Sequence, residues 1–186
     1  GGIDALRQLA LYGKPAERLA ALKALVRINQ KAATSELVTT LLAPDSTQDE
    51  IDYATTRLQR VSAGTIDSAA GIDFLASQLR RLRATAKTVD NDFQTRILWS
   101  VNPDRQSVGF REVQAMLAAY RDAADAASRL RRIGTLPLNV ANEVLAAELS
   151  YRVILDPDWG DEKQMETFIS DFAPTLQTAS WVGILS

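Results

Sequence analysis

Any chemistry in this chain has to come from carboxylates, hydroxyls, lysine and arginine, because its 186 residues include no histidine and no cysteine. Histidine titrates nearest neutral pH and is the commonest zinc ligand. Its absence excludes Ser-His, Cys-His and His-metal centres within the chain. The absence of cysteine excludes disulfides and thiolate chemistry.

Carboxylates gather in three places. Asp156, Asp158, Asp161 and Glu162 surround Gly160, and hard cations take several oxygens from a turning loop. The spacing departs from an EF-hand: Gly160 stands where a third ligand belongs and Thr167 where the bidentate Glu belongs. The simpler reading is a loop followed by a helix whose acidic start suits the helix dipole. Asp122 and Asp125 lie three apart on one helical face, as in helical enzymes that bind diphosphates through magnesium. Those motifs carry more carboxylates, and Arg129 follows Asp125 by four residues, so a surface ion pair worth roughly 0.3–0.5 kcal/mol is expected instead. Asp90-x-Asp92 reads as a helix cap.

Nucleophile and phosphate motifs are missing. Gly13-Lys14 lacks the upstream glycine and downstream Ser/Thr of a phosphate-binding loop, and Pro15 follows it. Neither Ser-x-x-Lys nor Gly-x-Ser-x-Gly occurs. The expectation is a protein without catalytic residues, metal or cofactor. A magnesium-dependent carboxylate enzyme is the weakest alternative.

Charge is uneven. The net charge of −2 and pI of about 5.2 are not those of a protein that coats nucleic acid. Yet Arg80, Arg81 and Arg83 form one basic cluster, Arg129, Arg131 and Arg132 another, and the stretch from Asp156 to Asp171 is acidic. Arginine's planar fork suits carboxylates and phosphates alike. These six arginines are candidate partner-binding residues, for a protein or for nucleic-acid phosphates. Trp159 and Trp181, in or near chain breaks, join them because aromatics dominate binding hot spots.

The elements that would carry these residues read as helices. Hydrophobic residues make up 46% of the chain but aromatics only 6%. The apolar share leans on alanine, the strongest helix former and one that lets helices approach closely. Stripes run through Ile3, Leu6 and Leu9, then Leu19, Leu22, Leu25 and Val26, then Leu37, Val38 and Leu41. Gly13 ends the first segment and Pro15 suits the first turn of the next, which runs to Lys31. The third starts at Thr34 or Ser35 and stops before Pro44. Thr47 and Glu50 form a capping box for a helix through Ile51, Ala54, Leu58 and Val61, with Gly64 beyond its end. Asp67 or Ser68 caps a helix through Ile72, Leu75, Leu79 and Leu82. Further helices are expected from Asp90 to Val101, from Val108 to Ile133, and from Val140 to Leu155 behind an Asn139 cap; one or two short helices follow, split at Pro174. Tyr151 to Leu155 is the one candidate strand, and no Asn-Gly or Asp-Gly hairpin turn appears.

One pattern recurs. Ala21-x-x-x-Leu25-x-Arg27-Ile28 returns 33 residues later as Ala54-x-x-x-Leu58-x-Arg60-Val61, and again as Ala126-x-x-x-Leu130-x-Arg132-Ile133. Leu9 maps onto Leu42 at the first offset. The stretch from Ile3 to Ile28 resembles the HEAT family of helical-hairpin repeats, with Leu6 and Leu9 on a first helix and Arg18, Ala21, Leu25 and Ile28 on a second. The resemblance implies stacked hairpins with an extended partner-binding surface. It covers residues 3–62, and the period fails beyond.

The reading is therefore an all-α chain, a multi-helix bundle or short stack of helical hairpins. It is taken as one domain over 1–186, divisible into 1–62 hairpins and a 65–186 bundle, and as a piece of a longer chain, since it opens at Gly1-Gly2. No apolar run reaches the roughly 20 residues that span a bilayer, and a soluble, cytoplasmic protein is the default expectation. The function expected is a non-catalytic protein-interaction module: an adaptor, regulator or assembly subunit. A nucleic-acid-binding helical repeat is the alternative, and self-association stays open.

Overall fold

The computed structural model describes residues 2–60, 66–89, 94–156 and 158–176. These residues form eight helices and one two-stranded sheet. The chain divides into two compact units, Gly1–Asp73 with Thr95–Val113, and Phe74–Gln94 with Gln114–Ser186. Among the described residues no helix is long and apolar enough to cross a membrane. Val61, Gly64, Asp90, Asp92 and Trp181 lie outside the described residues.

The first unit is built from α1 (Gly2–Tyr12), α2 (Pro15–Asn29), α3 (Thr34–Leu42), α4 (Gln48–Leu58) and the start of α5 (Ser68–Thr88). Helix α1 packs along α2 and α3 along α4, while α1 also touches α3 and α2 touches α4. The repeated positions Ala21, Leu25, Ala54 and Leu58 are all buried. The shared pattern therefore marks the inward edge of each second helix. Gly13 closes α1 because a Cβ there would lie 2.5 Å from the Leu9 carbonyl oxygen, and its N–H bonds that oxygen at 2.9 Å. The Thr47–Glu50 capping box forms as expected, and Asp67 Oδ1 accepts from the Ala70 N–H at 2.7 Å to open α5.

The expected helix from Asp90 to Val101 is replaced by strand β1 (Thr95–Val101), and the expected helix from Val108 starts as strand β2 (Val108–Gln114) before α6 (Ala115–Ile133) takes over. The chain is thus mainly α but not all-α. The seven-residue strands are rich in Val, Ile, Thr, Trp and Phe, residues that suit a pleated surface and lose side-chain freedom in a helix. Their ends are bonded by Asn102 N–H to Ser107 O at 2.9 Å and Ala115 N–H to Gln94 O at 2.8 Å. Both pairs have the same register, so the ladder is antiparallel and carries no bulge. The loop between strands is held by Asp104, whose Oδ1 accepts from the Gln106 and Ser107 N–H groups at 2.9 and 3.1 Å. Arg105 adopts φ 57° and turns back onto the end of α1. Its Nε donates to Tyr12 O at 2.8 Å, its NH2 group donates to Gly13 O at 3.1 Å, and its carbonyl accepts from the Lys14 N–H at 3.1 Å. Carbonyls left over where α1 ends thereby find donors, and the hairpin is fixed at its tip. Strand β1 packs against α1.

The second unit holds the rest of α5, α6, α7 (Leu138–Leu155) and α8 (Glu162–Leu176). Helices α6 and α7 pack along a seam rich in buried alanine, including Ala119, Ala123, Ala126, Ala141 and Ala147. Tyr151–Leu155 is helical, and α7 opens at Leu138 behind Pro137 rather than behind Asn139; a proline just before the first turn sets an extended entry. Helix α8 runs past Pro174 to Leu176. Asp161 caps it, its Oδ1 accepting from Gln164 N–H at 2.8 Å, while Gln164 Oε1 accepts from Gly160 N–H at 2.7 Å. A second small core joins Leu145, Phe168 and Phe172, with Leu149 and Trp159 against it.

Candidate functional site

The arginines singled out by charge are found in two different settings. Arg80 pairs with Glu143 at 2.9 Å, and Arg81 is exposed on the same helix α5, with Arg83 half-buried. On α6, Arg129 is buried, Arg132 is half-buried and the Arg131 guanidinium lies 4.4 Å from the Phe172 ring centroid. The α6 cluster is thus partly engaged within its own unit. Trp159 is half-buried with its ring edge-on to Phe168 at 5.8 Å and Arg152 beside it at 6.0 Å. Asp125 was expected in a surface pair with Arg129. Both residues are buried rather than at the surface, and Asp125 Oδ1 also accepts from Arg121 Nε at 3.0 Å, one turn earlier. Among the described residues no three His, Cys, Asp or Glu side chains gather closely enough to hold a metal ion.

The hairpin presents a different surface. Its register, with residue numbers of opposed pairs summing alike at both ends, places Thr95, Ile97, Trp99 and Val101 on the same face as Val108, Phe110 and Glu112. Trp99 and Phe110 are directly opposed, with ring centroids 5.2 Å apart and planes at 49°. Phe110 is 67% exposed and Ile97 53%. The Thr95 hydroxyl donates to Glu112 Oε1 at one end of this face. The Trp99 indole N–H is buried yet finds no acceptor among the described residues. Helical spacing of Phe93, Ile97, Leu98 and Val101 hid this element in the sequence. A better signal was present: no alanine occurs from Lys87 to Gln114, in a chain otherwise dense with it.

Two buried glutamates complete the set of unusual groups. In the first unit Glu50 accepts from Arg18 Nε at 2.8 Å and from the Arg18 NH2 group at 2.9 Å, and from the Thr47 N–H and hydroxyl at 2.8 and 3.0 Å. Arg18 also reaches Asp45, at its side chain (3.4 Å) and its carbonyl (3.0 Å). Burial alone would raise the Glu50 carboxyl, but these donors outweigh it and hold its pKa below the ordinary value. In the second unit Glu148 accepts from Ser128 at 2.9 Å. There burial prevails over Arg131, Ser128 and Arg152, Asp125 adds repulsion, and the pKa is raised. The first arrangement ties α2 to α4, and the second lies within the α6–α7 seam.

Comparison with known proteins gives no counterpart: no family model, no curated protein and no solved structure matches the chain.

Proposed function

We propose that the chain is a non-catalytic protein-interaction module, an adaptor, regulator or assembly subunit, whose docking face is the β1–β2 hairpin. One observation carries this reading: Phe110, Ile97 and Trp99 line one face of a rigidly anchored hairpin, with Phe110 two-thirds exposed. Exposed aromatics side by side are the residues that carry binding energy at interfaces. The scaffold fits the role. In this reading α1–α2 and α3–α4 are two stacked helical hairpins of the HEAT kind, supported by the α1–α3 and α2–α4 contacts and by the buried repeat positions. They hold the docking strands through the Arg105 clamp. The α6 arginines, with Arg129 buried and Arg131 over Phe172, give less support to a phosphate-binding surface.

The test is a photo-crosslinking residue placed at position 110 in one variant and at exposed Thr135 in another. A protein adduct formed at 110, not at 135, and lost on Ile97→Ser is the expected result. Adducts that form equally at both positions, or survive Ile97→Ser, would remove the hairpin from the account.

A further inference from the structure

The hairpin offers more than an apolar face, because it has a strand edge. The pairs Asn102–Ser107 and Gln94–Ala115 are hydrogen-bonded. In an antiparallel ladder hydrogen-bonded and non-hydrogen-bonded pairs alternate. Counting inward, Leu98–Arg111 and Ser100–Gly109 are bonded pairs, while Ile97–Glu112, Trp99–Phe110 and Val101–Val108 are not. The main-chain N–H and C=O groups of Val108, Phe110 and Glu112 therefore point away from β1. Among the described residues the sheet has two strands, and β1 is the one that packs against α1. Strand β2 is the outer one.

Natural proteins guard such edges with bulges, prolines or very short strands. Among the described residues this edge has none of these three devices, and its charged side chains, a further guard, are Arg111 and Glu112. Its register is constant from end to end, its strand is seven residues long, and Pro103 sits in the loop. A row of outward donors and acceptors calls for another extended backbone, since a helix has its own groups already paired.

The side chains beside that edge select among extended chains. On one face stand Val108, exposed Phe110 and, at the far end, exposed Glu112, whose carboxylate accepts from the Thr95 hydroxyl. On the other stand Gly109, exposed Arg111 and half-buried Val113, so the only charge that β2 offers there is positive. A strand laid on β2 meets these two faces with alternate residues. Resting on the hairpin as the docking face, we propose that β2 captures an extended peptide segment of a partner protein by β-strand addition, with apolar residues over Phe110 alternating with acidic residues beside Arg111.

The experiment selects binders from a displayed library of random ten-residue peptides against the full chain, then measures the enriched peptides on variants. Glu112→Pro removes an outward N–H and places a ring on the edge. It leaves the bonds to β1 intact, because residue 112 is in a non-bonded pair. Glu112→Ala keeps the N–H and controls for the lost carboxylate. Arg111→Glu reverses the charge, and Phe110→Ser removes the apolar contact. Enriched peptides should alternate apolar and acidic residues, and their Kd should rise at least tenfold on Glu112→Pro and on Arg111→Glu but less than threefold on Glu112→Ala. The melting temperature and circular dichroism of each variant confirm that it folds. If Glu112→Pro is folded and binds unchanged while Phe110→Ser does not bind, the hairpin face docks partners but edge pairing is overturned. If no peptide is enriched, or the enriched peptides lack the alternation, the proposal also fails. A dimer in sedimentation that dissociates on Glu112→Pro would assign the edge to a second copy of this chain and overturn the peptide.

Discussion

Two aromatic pairs in this molecule have nearly the same intimacy and opposite surroundings. Phe168 and Phe172 stack at 4.4 Å and are 1% and 0% exposed. Trp99 and Phe110 meet at 5.2 Å, and Phe110 is 67% exposed. The first pair is closed off by Leu145, Leu149 and Trp159, with Arg131 over Phe172 and Arg152 over Phe168. The second is fixed across a ladder whose tip is clamped by Arg105. A buried aromatic contributes to stability through the area it hides from water. An exposed one on a fixed backbone contributes little to stability and loses little entropy when a partner covers it. The contrast supports the proposal that docking uses the first unit's hairpin rather than the second unit's helices.

The comparison breaks most readily at its buried end. Phe168→Ala should cost about 3–5 kcal/mol, as large-to-small core changes do, measured by denaturant unfolding. A loss below about 1 kcal/mol would mean that this core is not closed. Arg18→Ala should cost a similar amount, about 3–5 kcal/mol, because it leaves the buried Glu50 carboxylate without its counter-charge, held by Thr47 alone. Arg18→Ala combined with Glu50→Gln should recover part of that loss in the same assay, and no recovery would show that the guanidinium stem, not the charge, is what matters.

The two glutamates sharpen the comparison through pH. Glu50 has a lowered pKa, so its contribution is present above the ordinary value of 4.5 and is lost as pH falls through the folded value below it. Glu148 has a raised pKa, so its contribution is present below 4.5 and is lost as pH rises through the folded value above it. Melting temperatures followed across pH should therefore show Glu148→Gln flattening the decline on the alkaline side of 4.5 and leaving the acid side unchanged. A Glu148→Gln profile parallel to that of the parent chain would exclude a proton held in the α6–α7 seam.

Local signals were legible in the sequence and distant ones were not. The Thr47–Glu50 capping box, Pro15 at the start of α2, the Asp67 cap and the Asp161 helix start are contacts within one turn, and their residue types predict them. The hairpin failed on periodicity, because Ile97, Leu98 and Val101 happen to fit a helical face while their β-branched and aromatic neighbours and the alanine gap argue for a strand. The positive φ of Arg105 and its clamp on α1 join residues more than 90 positions apart, and the Arg18–Glu50 pair spans 32. No spacing rule reaches that far. Trp159 stands in a chain break, where exposure is expected, and its ring packs on Phe168; Phe110 falls in a stretch whose apolar spacing predicts a helix.

The smallest expected stability effect is also the most direct test. Phe110→Ser should change the melting temperature by less than about 2 °C, as exposed substitutions do, while abolishing the crosslinked or peptide-bound complex measured on the same preparation. A variant that loses several degrees and still binds its partner would place Phe110 with the core residues and contradict the hairpin as the docking face.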